Sequence, residues 1–369
     1  MSGTPVCIPD IAAFLRGMGG NMVIGFDGFI DEVWWLLESR SDEGGFEYLE
    51  RMKTFGEQIV GRGTGGLARE TVIKRRSFGG FTCNTGMAAA GLGLRPALIG
   101  MYGRTEINEA FAPLSGKCEL ISVGDPAVCR ILEFSDGKIM LPSLSNLLGF
   151  KWDILETETD FGRVGGLFDS ADIICVGYWS NLLNFDDIII RLVCDHCRGK
   201  QKRLLFDFAN LSKRSPDALK KTLLQLGNLN AKVPMTLSLN EHEGKILLRN
   251  YGKGGFSDAG GALDALRDLR KRVRLDEIII HAPGFAAGIS ESEGTAMIPQ
   301  VYCANPAIMT GAGDTFNGGY AAACMASPFR LRFEDRLAIA NAAAYLYVSN
   351  GFPPGRDALL NHLVPCGKF

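Results

Sequence analysis

Short apolar runs alternate along the chain with stretches whose apolar positions recur every three or four residues. The runs at 22–25, 97–101, 173–177, 204–208, 235–239 and 278–281 are too short for buried helices and read as strands covered on both faces. Between them, 186–198, 216–227 and 259–273 carry one apolar stripe each and read as amphipathic helices. Strand and helix in regular alternation predict an α/β fold with a mostly parallel central sheet between helices. Ligands on such sheets collect beyond the carboxyl ends of the strands, and that is where the chemistry is expected.

Two segments break the rhythm. In the first, 32–37 and 71–76 read as strands around a helix with apolar positions Phe46, Leu49, Met52, Phe55 and Ile59. In the second, strands 128–134 and 138–141 flank Ser135-Asp136-Gly137, where Asp-Gly signals a hairpin. The run Gly61-Arg62-Gly63-Thr64-Gly65-Gly66 lacks the lysine and the strand–helix setting of a phosphate loop and reads as a turn.

Composition narrows the partners. With 39 basic against 41 acidic residues and a net charge of −2, there is no electrostatic case for nucleic acid or an anionic membrane, so a small-molecule substrate is expected. The apolar stretch 337–348 is too short to span a bilayer, and no N-terminal signal pattern is seen, so a cytoplasmic setting is expected. The ten cysteines lack framework spacing, which fits reduced, buried thiols. Cys194-Asp195-His196-Cys197 could offer three ligands to zinc, but it ends a helical pattern and no second pair sits at metal spacing.

The candidate chemistry centres on Thr310-Gly311-Ala312-Gly313-Asp314-Thr315-Phe316, which opens an apolar helix through 321–326. Small residues at a helix N-terminus let backbone N–H groups close around an anion. An aspartate inside such a cradle repels a phosphate but suits a base for the hydroxyl that attacks it. The plainer alternative is a tight turn whose aspartate caps the helix. Upstream, Gly79 and Gly80 precede Phe81-Thr82-Cys83-Asn84 and a helix of small residues, where Asn84 can both donate to and accept from a polyol. Asn240 and Glu243 lie three apart on the first turn of a helix after a strand, a spacing that suits Mg²⁺ held through water.

Gly-Ala-Gly-Asp-Thr-Phe at 311–316 and Gly-Gly-x-x-x-Asn ending at Asn84 together resemble the two signatures of the PfkB, or ribokinase-like, carbohydrate kinases. The resemblance runs from Gly25 to about Pro354. It implies a ribokinase-like core (1–28, 78–103 and 142–369) with a small β lid (29–77 and 104–141). It implies an ATP- and Mg²⁺-dependent transfer of the γ-phosphate to a hydroxyl of a sugar or sugar-like substrate. Asp314 would be the base, with Gly311, Ala312 and Gly313 as the cradle. Gly79, Gly80, Asn84 and an aspartate after the first strand would hold the acceptor; Asp31 is the first choice and Asp27 the competitor, because the spacing is one residue longer than usual. Asn240 and Glu243 would organise Mg²⁺, and Asp207, Gly284 and Asn341 would lie along the nucleotide.

The pattern also departs from the family. Gly284 and Gly288 are four apart where three is usual, and Ile308 stands where many relatives have a cation-binding aspartate. Arg104, with Lys74, Arg75, Arg76 and Arg130, is a candidate for receiving a phosphorylated sugar, against the plainer reading of solvated charges. A nucleoside kinase using Trp34, Trp35 or Phe29 against a base is the nearest rival. A sugar or nucleotide sensor is the rival from another class, and Asp314 argues against it. Lid strands pairing between two subunits would give a homodimer.

Overall fold

The computed structural model describes residues 7–197, 202–325 and 330–366. Arg198 and Ala326, the expected ends of two helices, lie outside them. In chain order the strands are β1 Met22–Gly25, β2 Phe29–Arg40, β3 Phe46–Tyr48, β4 Thr71–Gly79, β5 Ala97–Gly100, β6 Glu119–Ser122 and β7 Ala127–Phe134. They continue with β8 Gly137–Ser143, β9 Ile173–Gly177, β10 Arg203–Asp207, β11 Met235–Asn240, β12 Glu277–Ala282, β13 Phe285–Ser290 and β14 Gly294–Pro299.

The central sheet has the order β14-β13-β12-β11-β10-β9-β1-β5-β6. All neighbours from β12 to β6 pair in parallel, and β13 and β14 add an antiparallel edge. Alternation along each strand sorts side chains to the two faces. Ile174, Val176, Leu204, Phe206, Ile278 and Ile280 enter one core, and Ile173, Cys175, Leu205 and Ile279 enter the other. Helices Phe185–His196 and Pro216–Leu229 cover the first face; Phe81–Gly91, Ala312–Ala323 and Phe333–Asn350 cover the second. The helix 312–323 lies close on 81–91 because a Cβ on Gly318 would fall 2.6 Å from Ala88 Cβ and 2.7 Å from the Thr85 carbonyl oxygen. That close approach carries Asp314 to Asn84.

The second sheet runs β3-β2-β7-β8, with β4 also pairing β2. Its composition corrects two expectations. Residues 104–141 do not form one lid segment: β6 extends the central sheet from β5, and only β7 and β8 join the small sheet. At four half-buried residues, β6 is too short to stand out as an apolar run. In the first segment Phe46 belongs to strand β3, and the helix begins at Met52. Its start is set from outside, since Asp136 of the β7–β8 hairpin accepts from the Met52 amide at 2.6 Å. Gly284, expected along the nucleotide, lies in the turn of the β12–β13 hairpin, and Gly288 sits in a strand where a Cβ would lie 2.4 Å from the Phe333 ring. Among the described residues no helix is long and apolar enough to cross a membrane.

Candidate active site

A cleft of about 770 Å³ lies beyond the carboxyl ends of β10, β11 and β12, and a larger one of about 1140 Å³ lies between the small sheet and the 81–91 helix. They share Pro306 and Met309 and meet where Asp314, lining the smaller, touches Asn84, lining the larger.

The two candidate aspartates near β1 have different surroundings. Asp27 is 0% exposed, and its carboxylate accepts from the Phe81 amide at 2.9 Å, the Thr82 amide at 2.7 Å and the Thr82 hydroxyl. It caps the 81–91 helix and lines neither cleft. Asp31, half-buried on β2 beside Ser77 of β4, lines the larger cleft. Burial pushes its carboxyl up to about 6, although the charges of Lys138 and Arg75 draw it down. The glycine pair explains how both fit. A Cβ on Gly79 would lie 2.5 Å from Asp31 Oδ2, and one on Gly80, whose φ is +90°, would lie 2.5 Å from Asp27 Oδ2. Each glycine makes room for one aspartate, and neither is itself part of the cleft lining.

Gly311 begins the 312–323 helix with φ +89°, a left-handed conformation that a glycine adopts without strain. Asp314 follows in the first turn and is 6% exposed. Asn84 Nδ2 donates to Oδ2 at 2.8 Å, and the Tyr178 hydroxyl donates to Oδ1 at 2.9 Å. Burial raises the Asp314 carboxyl above the usual range, and these two donors pull against that rise. Tyr178 stays a phenol, because burial and then the nearby Asp314 charge raise it well above its ordinary value. Below Gly313 the His281 ring stacks on Phe316 at 4.7 Å between centroids, and burial lowers that imidazole to about 4.

The smaller cleft is bordered by this cradle and by the ends of β10, β11 and β12. Asn240 and Glu243 form a reciprocal cap: Asn240 Oδ1 accepts from the Glu243 amide and Glu243 Oε2 from the Asn240 amide, both at 3.0 Å. Asp207 accepts from Asn317 Nδ2 at 2.8 Å. Burial first, and then the charges of Glu243 and Asp314, push the Asp207 carboxyl well up. Glu243 is raised to about 7, mainly by burial. Among the described residues none of these three carboxylates has an ion-pair partner, so a cation among them would relieve their mutual repulsion. No group of three or more His, Cys, Asp or Glu side chains among the described residues is placed to hold a metal directly. Asn341 lines this cleft and donates to the Pro299 carbonyl at 3.3 Å. Gly284 does not line it; its neighbours Ala282 and Pro283 do.

The family model of prokaryotic ketohexokinase matches residues 6–364. The chain belongs to that family. It is a carbohydrate kinase with the ribokinase fold. A ketohexokinase of Haloferax volcanii is 28% identical over 346 residues, spanning 92% of this chain and 90% of that protein. The ribokinase of Arabidopsis thaliana, solved with ribose and ATP, shares the fold with a TM-score of 0.62 at 16% identity, covering 95% of this chain and 99% of that one. The ribokinase of Cryptococcus neoformans bound to ADP gives 0.62 at 15% identity, covering 93% and 99%.

Several candidate residues lie away from the clefts. Arg104 pairs with Glu158 at 3.1 Å and Asp125 at 3.7 Å and lines neither cleft. Trp34, Trp35 and Phe29, considered as a platform for a base, line neither cleft; the Trp35 ring packs tilted against Tyr48, with centroids 4.5 Å apart. His196 packs against Trp152 and Phe168 and bonds Asp169 at 2.9 Å. Conversely, sequence reasoning did not find Tyr178, His281, Lys138 or Tyr347. Tyr178 and His281 do follow or end buried strands, a position that could have singled them out, whereas Lys138 and Tyr347 reach the site only through the packing of distant elements.

Proposed function

We propose that this kinase transfers the γ-phosphate of ATP to a hydroxyl of a ketohexose, with Asp314 as the base. The observation that carries this reading is the Asp314 carboxylate at the meeting of the two clefts, with Asn84 and Tyr178 each holding one of its oxygens. So oriented, it presents its remaining lone pairs to a hydroxyl in the larger cleft and takes the proton as that hydroxyl attacks phosphorus. The amides of Gly313 and Asp314 at the helix N-terminus stabilise charge on the phosphoryl oxygens, joined by that of Ala312, which donates to the Met309 carbonyl at 3.4 Å when no phosphate is bound. Asp31 accepts from sugar hydroxyls across the cleft, while Asp27 keeps the 81–91 helix, and with it Asn84, in place.

Asn240, Glu243 and Asp207 would hold Mg²⁺ through water, and the bound ion neutralises charge on the phosphates of ATP. The small sheet acts as a lid that excludes water from the transfer. The same proposal includes a cytoplasmic setting, where ATP is supplied. It also includes a homodimer formed through the lid edge, where Met140 and Leu141 of β8 are exposed; light scattering checks the mass.

The reading is tested by ADP release with D-fructose, other ketohexoses, aldoses, sugar phosphates and nucleosides. Ketohexoses are expected to give the highest kcat/KM. Turnover restricted to nucleosides or sugar phosphates would overturn the substrate class, and an absence of turnover with every acceptor would overturn the kinase reading.

A further inference from the structure

Most lid cations near the larger cleft are neutralised. Lys74 pairs with Glu133, and Arg76 and Arg130 both pair with Glu32. Among the described residues, Arg75 and Lys138 line the cleft with no carboxylate at ion-pairing distance. Lys138 reaches further. From the start of β8 its ammonium donates to Thr310 Oγ1, on the residue directly before the cradle glycine Gly311. Thr310 is held from the other side, where the Tyr347 hydroxyl donates to its carbonyl at 2.8 Å. The hairpin carrying Lys138 is tied into the lid by Asp136, which caps the helix starting at Met52.

An ammonium resting on a neutral hydroxyl beside an anion cradle gives up little when an anion arrives, because a charged acceptor makes the stronger bond. On the function proposed above, the anion that the cradle meets is the γ-phosphoryl group in transit. We propose that Lys138 is a catalytic residue whose ammonium contacts the phosphoryl oxygens as they pass from ATP to the sugar. The bond from the γ-phosphorus to the bridging oxygen breaks and its electron pair leaves with ADP. A bond from phosphorus to the sugar oxygen forms, the hydroxyl proton goes to Asp314, and Lys138 remains protonated throughout. The lid then supplies a charge as well as a cover, so closure over the sugar and completion of the phosphoryl site are one event.

Lys138→Met keeps a side chain of similar reach without the charge, and Lys138→Arg keeps the charge. With ATP and D-fructose, Lys138→Met is expected to lose about 10²–10³ in kcat, the usual effect of removing one donor to a developing charge. Both KM values should stay within about threefold of wild type, and Lys138→Arg should recover part of the loss. Calorimetry with ADP, aluminium fluoride and D-fructose, a mimic of the group in transit, should show binding weakened by about 10²-fold in Lys138→Met, while ADP alone binds as in wild type. A kcat within about threefold of wild type overturns the proposal, as does a loss confined to the KM for fructose, which would make Lys138 a sugar ligand. Asp314→Asn measured alongside separates the two readings. If Asp314→Asn is inactive and Lys138→Met is normal, only the lysine's role falls; normal turnover in both removes the mechanism itself.

Discussion

Replacing Asp31 by asparagine should make the free protein more stable at alkaline pH and a far poorer sugar kinase. The carboxyl is raised from an ordinary 3.8 to about 6, chiefly by burial, so ionising it costs the folded state free energy. The contribution of a group raised in this way is fully present below its unfolded value and is lost as pH rises through about 6. A rise of roughly two units at 1.36 kcal/mol per unit sets a ceiling of about 3 kcal/mol, and water reaching this half-buried group reduces that to about 1–3 kcal/mol. Asp31→Asn removes the ionisation, so melting without ligand should be higher than wild type by a few degrees at pH 8 and equal to it near pH 4. Sugar binding should move the other way. Loss of a charged acceptor to two hydroxyls costs on the order of 3 kcal/mol, or about 10²-fold in kcat/KM for D-fructose, with ATP affinity unchanged. In wild type the same kcat/KM should fall as pH drops through about 6, because the protonated acid no longer offers the charged acceptor. A variant less stable than wild type at pH 8, or one with an unaltered kcat/KM for sugar, would refute this account of Asp31.

Asp314→Asn should bind ATP normally and lose about 10²–10⁴ in kcat, as expected for a positioned base. Tyr178→Phe removes one of the two donors that hold the Asp314 carboxyl down, so the acid limb of the kcat profile should move to higher pH; an unmoved limb would place Tyr178 outside the proton transfer. Glu243→Gln should raise the Mg²⁺ concentration needed for half-maximal rate, and an unchanged Mg²⁺ dependence would remove Glu243 from the metal's surroundings. Asp27→Ala strips the cap from the 81–91 helix and should lower stability by at least about 1–2 kcal/mol in urea melts. A fully stable Asp27→Ala that had lost only its affinity for sugar would reverse the roles given to the two aspartates.

The alternation of buried strands and amphipathic helices was legible because each strand of a covered parallel sheet is a continuous apolar run. Strand β6 and the helix start at Met52 were not. The first is four half-buried residues, and the second depends on an aspartate supplied by a hairpin far along the chain. Gly284 shows the same limit at the smaller cleft: the resemblance placed it along the nucleotide despite its unusual spacing from Gly288, but it lies in the β12–β13 hairpin and Ala282 and Pro283 line the cleft instead.

By itself, the sequence determined the sheet class, the family and the segments that form the candidate site, since a glycine pair before a small-residue helix and Gly-Ala-Gly-Asp before another are local in the chain. Only the tertiary structure decided what each residue faces. Asp27 and Asp31 are nearly interchangeable as letters, yet one is enclosed by the donors of a helix terminus and the other opens on a cleft. Tyr178 and Asn84 come to Asp314 from elements remote in sequence, and Lys138 comes to Thr310 from the small sheet. Burial and charge at a site are sums over neighbours that the chain order does not place side by side, and they exist only once the sheet and its helices have packed.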